Sequence, residues 1–142
     1  MTRFLLTMAI LLISGCAQLP PMAEDAVAKR FEPLPDRAVI YLARHRLDHD
    51  FIAPVSLDDQ MIGSTYRGTY MRIEVPAGTH RIEGFAADSG RIKFDTKAGQ
   101  IYFVQHTAFG FRSFDSSRFE LVDAAYGRSL VLNGQMTALI IR

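Results

Sequence analysis

The first hydrophobic feature of the chain is an unbroken run. Phe4–Ile13 is apolar at every position except Thr7, and Arg3 precedes it. A helix crossing about 30 Å of hydrocarbon needs about 20 apolar residues, so ten are too few to span. Cation, short apolar run and the small residues Ser14 and Gly15 have the form of a secretory signal peptide over residues 1–15. Residues 16–37 lose all periodicity. Pro20, Pro21, Pro33 and Pro35 bracket Met22–Glu32, which places good helix formers between acids (Glu24, Asp25) and bases (Lys29, Arg30). That order favours a short helix within a tether.

After Arg37 the period becomes two. Ala38–Leu42 is continuously apolar, which predicts a strand covered on both faces. Pro54–Leu57 and Met61–Gly63 flank Asp58-Asp59 as a hairpin. From Thr69 to Val75 the residues alternate, with Met71, Ile73 and Val75 on one face and Tyr70, Arg72 and Glu74 on the other. Pro76-Ala77-Gly78 turns into a strand over Thr79–Phe85, and Asp88-Ser89-Gly90 turns into one over Arg91–Thr96. Ile101–His106 follows, and Ala138–Ile141 closes the chain as a buried-type strand. One late helix is predicted from Ala124 to Asn133, capped by Asp123 and ended by Gly134. The predicted fold is mainly β: a small antiparallel β-sandwich over 38–142 with one short helix near the C-terminus.

Composition narrows the function. The 142 residues hold 49% hydrophobic and 22% charged residues, the balance of one globular domain. Sixteen Lys+Arg oppose fifteen Asp+Glu, for a net charge of +1, and nucleic acid as a main partner calls for a clustered surplus of cations. Removing residues 1–15 removes Arg3 and no acid, which leaves the remainder neutral. A single cysteine excludes an intrachain disulfide and a cysteine zinc cage.

That cysteine sits where it carries most meaning. Ile13-Ser14-Gly15-Cys16 resembles the lipobox of bacterial lipoproteins: an aliphatic residue, two small ones, then Cys. The resemblance implies cleavage before Cys16, diacylglycerol on its thiol and acylation of its amine. Each buried CH₂ contributes about 0.8 kcal/mol and two chains anchor stably, so the membrane partner is held through lipid on Cys16. Ala17 in place of Asp resembles the Gram-negative pattern exported to the outer membrane, facing the periplasm.

A second resemblance lies in the strands. Val55–Gly63 with its acidic turn, Gly68-Thr69-Tyr70, Val75–His80 in the form Pro-x-Gly-x-His, and Ala98–Val104 look like the PEGA-like β-sandwich repeat. They also look like a family of uncharacterised bacterial lipoproteins with the same pattern. This implies a transthyretin-like sandwich at a cell envelope and brings no activity or cofactor with it.

Candidate chemistry is sparse. His45 and His49 lie four apart, but Arg44 and Arg46 flank them and Pro54 follows, which predicts a solvated loop with no metal. His80 and His106 fall at strand positions, as capping or half-buried residues. No Gly-x-Ser-x-Gly elbow or phosphate loop is present. The densest aromatic stretch is Phe109–Phe119, with four of the ten Phe. Gly110, Ser113, Asp115, Ser116 and Ser117 are expected to break any strand there, so that the rings fold back over an open end of the sandwich or, as the alternative, leave Phe109, Phe111 and Phe114 as a partner surface. The expected function is a non-enzymatic envelope lipoprotein that presents loops to a protein partner. The alternative is a small-molecule or metal-ion binding module using loop 44–50 or a cleft between the sheets.

Overall fold

The computed structural model describes residues 23–84, 90–111 and 114–142, with residues 111, 114 and 115 as backbone only. The lipobox residues Ile13, Ser14, Gly15 and Cys16 lie outside this range, as do Phe85 and part of the 88–90 turn. In chain order the elements are α1 (Ala23–Ala28), β1 (Ala38–Ala43), β2 (Ala53–Leu57), β3 (Gln60–Thr65), β4 (Thr69–Val75) and β5 (Gly78–Gly84). They continue with β6 (Arg91–Thr96), β7 (Ile101–Phe111), β8 (Phe114–Val122), α2 (Ala124–Leu132) and β9 (Gln135–Ile141). The fold is mainly β, with two sheets and a short helix near the C-terminus, as the alternation predicts.

One sheet has the order β8-β7-β1-β4-β9 and the other β3-β2-β5-β6. Between them lies a core of Ile40, Leu42, Val55, Leu57, Met71, Ile73, Ile82 and Phe119. The opposite face of the five-stranded sheet is apolar too: Val39, Tyr41, Tyr70 and Phe103 pack under Ala28, Leu130 and Val131 of the helices. Both faces of β1 are therefore covered, which is why its sequence does not alternate. Burying each large apolar side chain contributes about 1.5–3 kcal/mol, so both interfaces matter to stability.

Three expectations need correction. The four-stranded sheet is antiparallel throughout, but in the other sheet β1 pairs with β7 and β4 with β9 in parallel. Each of those partners is reached through a long connection instead of a hairpin. The second correction concerns the tether, because residues 23–34 are part of the domain. Asp25, 7% exposed, accepts hydrogen bonds from Tyr70 Oη at 2.8 Å and the Met136 amide at 3.0 Å, and pairs with Lys29 at 2.8 Å. Burial pushes the Asp25 carboxyl up, but those donors outweigh it and hold it below the ordinary carboxylate range. Phe31 and Leu34 then pack on the sheet beside Tyr41 and Phe103. Third, the expected strand breakers at Gly110, Asp115, Ser116 and Ser117 do not break the strands: residues 109–111 belong to β7 and 114–119 to β8, paired in register from Phe103↔Val122 to Phe111↔Phe114.

The late helix matches its signals: Asp123 caps it by accepting from the Tyr126 amide at 2.9 Å, and Asn133 ends it. Gly127 is where this helix meets the sheet, since a Cβ there would come within 2.3 Å of Phe103 Cβ and Cγ. Those atoms are fixed close to the backbone. In an exposed helix, Gly→Ala gains up to about 1 kcal/mol. Here the overlap dominates, and Gly127→Ala is expected to destabilise by about 1–3 kcal/mol. A lower midpoint in urea denaturation checks this; an unchanged or raised midpoint would mean that α2 lifts off the sheet without penalty.

Candidate interaction surface

The end of the sandwich where β1 finishes is built around a buried cation. Arg44 continues β1, donating its amide to Thr69 O at 2.9 Å and accepting from Gly68 N at 3.2 Å. Its side chain is fully buried and all five guanidinium N–H groups find acceptors. Nε donates to Asp48 Oδ2 at 2.8 Å, Nη1 to the carbonyls of Phe51 and Thr65, and Nη2 to those of His49 and Ala108. Asp48 also accepts from the Ala108 amide at 3.1 Å. Burial works to raise the Asp48 carboxyl; the His49 and Ala108 amides and the Arg44 guanidinium overcome it and keep the group ionised. One ion pair thus ties loop 44–52 to β3 and β7.

Beneath this loop lies His106. It is fully buried, and its Nδ1 is 2.8 Å from Thr65 Oγ1 and its Nε2 3.0 Å from Ser117 Oγ. The ring stacks on Phe119 at 4.3 Å. Burial, reinforced by the Arg44 charge and opposed by Asp48, pushes its pKa down to about 3, so the ring is neutral. Neutral imidazole donates through one nitrogen and accepts through the other, and two hydroxyls satisfy either tautomer.

Around this hydrogen-bonded floor stand exposed apolar side chains. Leu47 is 80% exposed, Ile52 65% and Phe109 38%. The His49 ring meets Phe109 edge-on at 4.9 Å. Gly110 explains how the loop seats on β7: a Cβ there would fall 2.0 Å from the Phe51 ring, so that ring lies against bare backbone. Beside it an open trough is lined by Asp50, Phe51, Ile52, Ser64, Thr65 and Tyr66. Tyr66 Oη donates to Asp50, which Arg67 also approaches at 3.4 Å.

Of the aromatic residues singled out in the sequence, Phe109 belongs to this surface. Phe111 and Phe114 pair across the β7–β8 hairpin, and their side chains lie outside the described residues. His45 and His49 turn to different partners: His45 Nδ1 accepts from the Leu47 amide, while His49 faces Asp48 and Phe109. The loop expected to be merely solvated is organised from within by Arg44 and Asp48, which the sequence reading missed. The available signal was position, since Arg44 directly continues a strand buried at all six residues.

Among the described residues no three His, Cys, Asp or Glu gather as a metal site, and no helix is long and apolar enough to cross a membrane. A family model described as Protein of unknown function (DUF2846) matches residues 35–113, which include β1 through β7 and the whole of the loop 44–52. No curated protein matches the chain.

Proposed function

The chain belongs to the DUF2846 family, and from that premise we propose that it is a non-enzymatic envelope lipoprotein, anchored through lipid on Cys16, whose loop end binds an envelope protein. The observation that carries the binding role is that Leu47 and Ile52, on the loop held by the buried Arg44–Asp48 pair, and Phe109, on β7 against His49 of that loop, are exposed large apolar side chains. Large side chains held in water by a pre-organised loop lower the entropy lost on binding. Anchoring rests on Ile13–Cys16 and the apolar run before it, and the outer-membrane, periplasm-facing placement rests on Ala17. A docked α1 leaves only residues 17–22 as spacer, and six residues reach at most about 20 Å. The domain then works close to the bilayer.

Catalysis fits the site less well. The Ser117–His106 pair has the distance of a nucleophile and base, but Ser117 is 8% exposed and Thr65 stands where an orienting acid belongs.

Two tests separate the parts of the proposal. Cys16→Ser is expected to abolish fatty-acid labelling and to release the protein from envelope vesicles on carbonate washing. Leu47→Ser, at an 80% exposed site, is expected to change stability by about 0.5 kcal/mol and Phe109→Ser, whose ring is more than half covered, by about 1–2 kcal/mol, while the double variant stays folded and loses the protein that cross-links to wild type in intact envelopes. A retained small molecule with no protein partner would instead assign the trough beside Phe51 to ligand binding.

A further inference from the structure

At the end of β4 remote from Arg44, the turn Pro76–Gly78 carries the chain from the five-stranded sheet to β5 of the other. His80 stands just inside β5 with its side chain 11% exposed. Its Nε2 lies 2.9 Å from the Pro76 carbonyl oxygen and its Nδ1 2.7 Å from Asp58 Oδ2. Asp58 belongs to the two-residue turn between β2 and β3, where it and Asp59 hold φ of 48° and 68°. The other Asp58 oxygen accepts the Arg81 amide at 2.8 Å, and Asp58 N donates to Arg81 O at 2.9 Å.

Both neighbours of the imidazole are acceptors. A carbonyl oxygen has no proton to give. Burial pushes the Asp58 carboxyl up, but His80 and the Arg81 amide outweigh it and hold it below the ordinary range, so it too is proton-free near neutrality. An imidazole donates through both nitrogens only as the cation.

We propose that His80 is a proton-dependent clamp: as imidazolium it bonds the β2–β3 turn and the β4–β5 turn together, and on losing its proton it releases one of them. Neutral His80 would turn a nitrogen lone pair toward either the Pro76 carbonyl or the Asp58 carboxylate, and that contact is repulsive. The charged groups around it are Asp58 and Asp59 from the β2–β3 turn, Arg81 and Glu83 on β5, and Lys93 and Asp95 on β6. Arg81 is drawn toward Asp59 and Glu83, which leaves Asp58 to His80. The clamp is independent of the partner surface and of the anchor.

Long-range proton–nitrogen spectra of the imidazoles, recorded on the full chain in detergent between pH 5 and 8.5, test this. The expected result is that both His80 nitrogens carry protons at the acid end. Protection of the Arg81 amide, corrected for intrinsic exchange, then falls at least tenfold in step with loss of one ring proton. Asp58→Asn, which the left-handed turn tolerates, uncouples Arg81 protection from the ring proton, because an amide can either accept from or donate to that nitrogen. His80→Gln makes the protection independent of pH. A ring singly protonated throughout, or Arg81 protection that stays flat while the wild-type ring titrates, overturns the proposal, and either is read on the wild-type chain without any variant.

Discussion

Arg44→Met is expected to lower stability by about 3–5 kcal/mol, the cost of stranding one member of a buried ion pair. The substitution keeps the apolar stem. It removes the charge partner of Asp48 and leaves the carbonyls of His49, Phe51, Thr65 and Ala108 without their guanidinium donors. Domains of this size are stable by about 5–15 kcal/mol in all, so the variant should fold marginally or not at all at 37 °C. Lysine is not a substitute, because three donors on one nitrogen cannot satisfy five acceptors spread around a planar fork. Arg44→Met combined with Asp48→Leu should recover part of the loss by removing the stranded carboxylate, but only part, because the Ala108 amide then loses its acceptor. Urea denaturation measures all three variants. A loss below about 1 kcal/mol for Arg44→Met would mean that water reaches the guanidinium and that the loop is not held by it.

The same pair shows why some of the molecule could be read from its sequence and some could not. Strands with one buried face announce themselves: in β4 the alternation puts Met71, Ile73 and Val75 between the sheets and Tyr70 under the helices, where the structure has them. A cap acts over three residues, so Asp123 and α2 are equally local. Partner choice is not local. Nothing within β1 specifies that β7, some sixty residues later, lies parallel beside it. Polar residues mislead for a related reason. Asp25, Arg44 and Ser117 look like surface residues one at a time and are buried because distant groups satisfy them: Tyr70 and Met136 for Asp25, Ala108 for Arg44, His106 for Ser117. Gly110 reads as a strand breaker, yet its missing side chain is what lets Phe51 lie on the strand. The interaction surface therefore was legible as an aromatic cluster around Phe109 but not as a surface resting on loop 44–52.

The second large effect is acid sensitivity, and it is set by His106. In the unfolded chain the ring titrates near 6.5, and in the folded protein near 3. The native state binds the proton more weakly, so the ring's contribution is fully present above about pH 6.5 and is lost as pH falls from there toward 3. At about 1.4 kcal/mol per unit, the whole window amounts to about 5 kcal/mol. Below the ordinary carboxylate value of 3.8, Asp25, Asp48 and Asp58 add to the loss, because each is held below that value in the folded state. His106→Gln keeps an amide donor and acceptor between Thr65 and Ser117 and removes the titration. Its looser fit against Phe119 should make it less stable than wild type at pH 8, by about 1–2 kcal/mol. From pH 7 to 5, where wild type loses about 2 kcal/mol, the variant should stay nearly level, so the two stability curves converge on acidification. Denaturant midpoints across that range decide the matter. Wild-type stability that is flat between pH 7 and 5, or a variant that falls in parallel with it, would show that His106 takes up its proton without leaving the core, and the neutral floor beneath loop 44–52 would have to be abandoned.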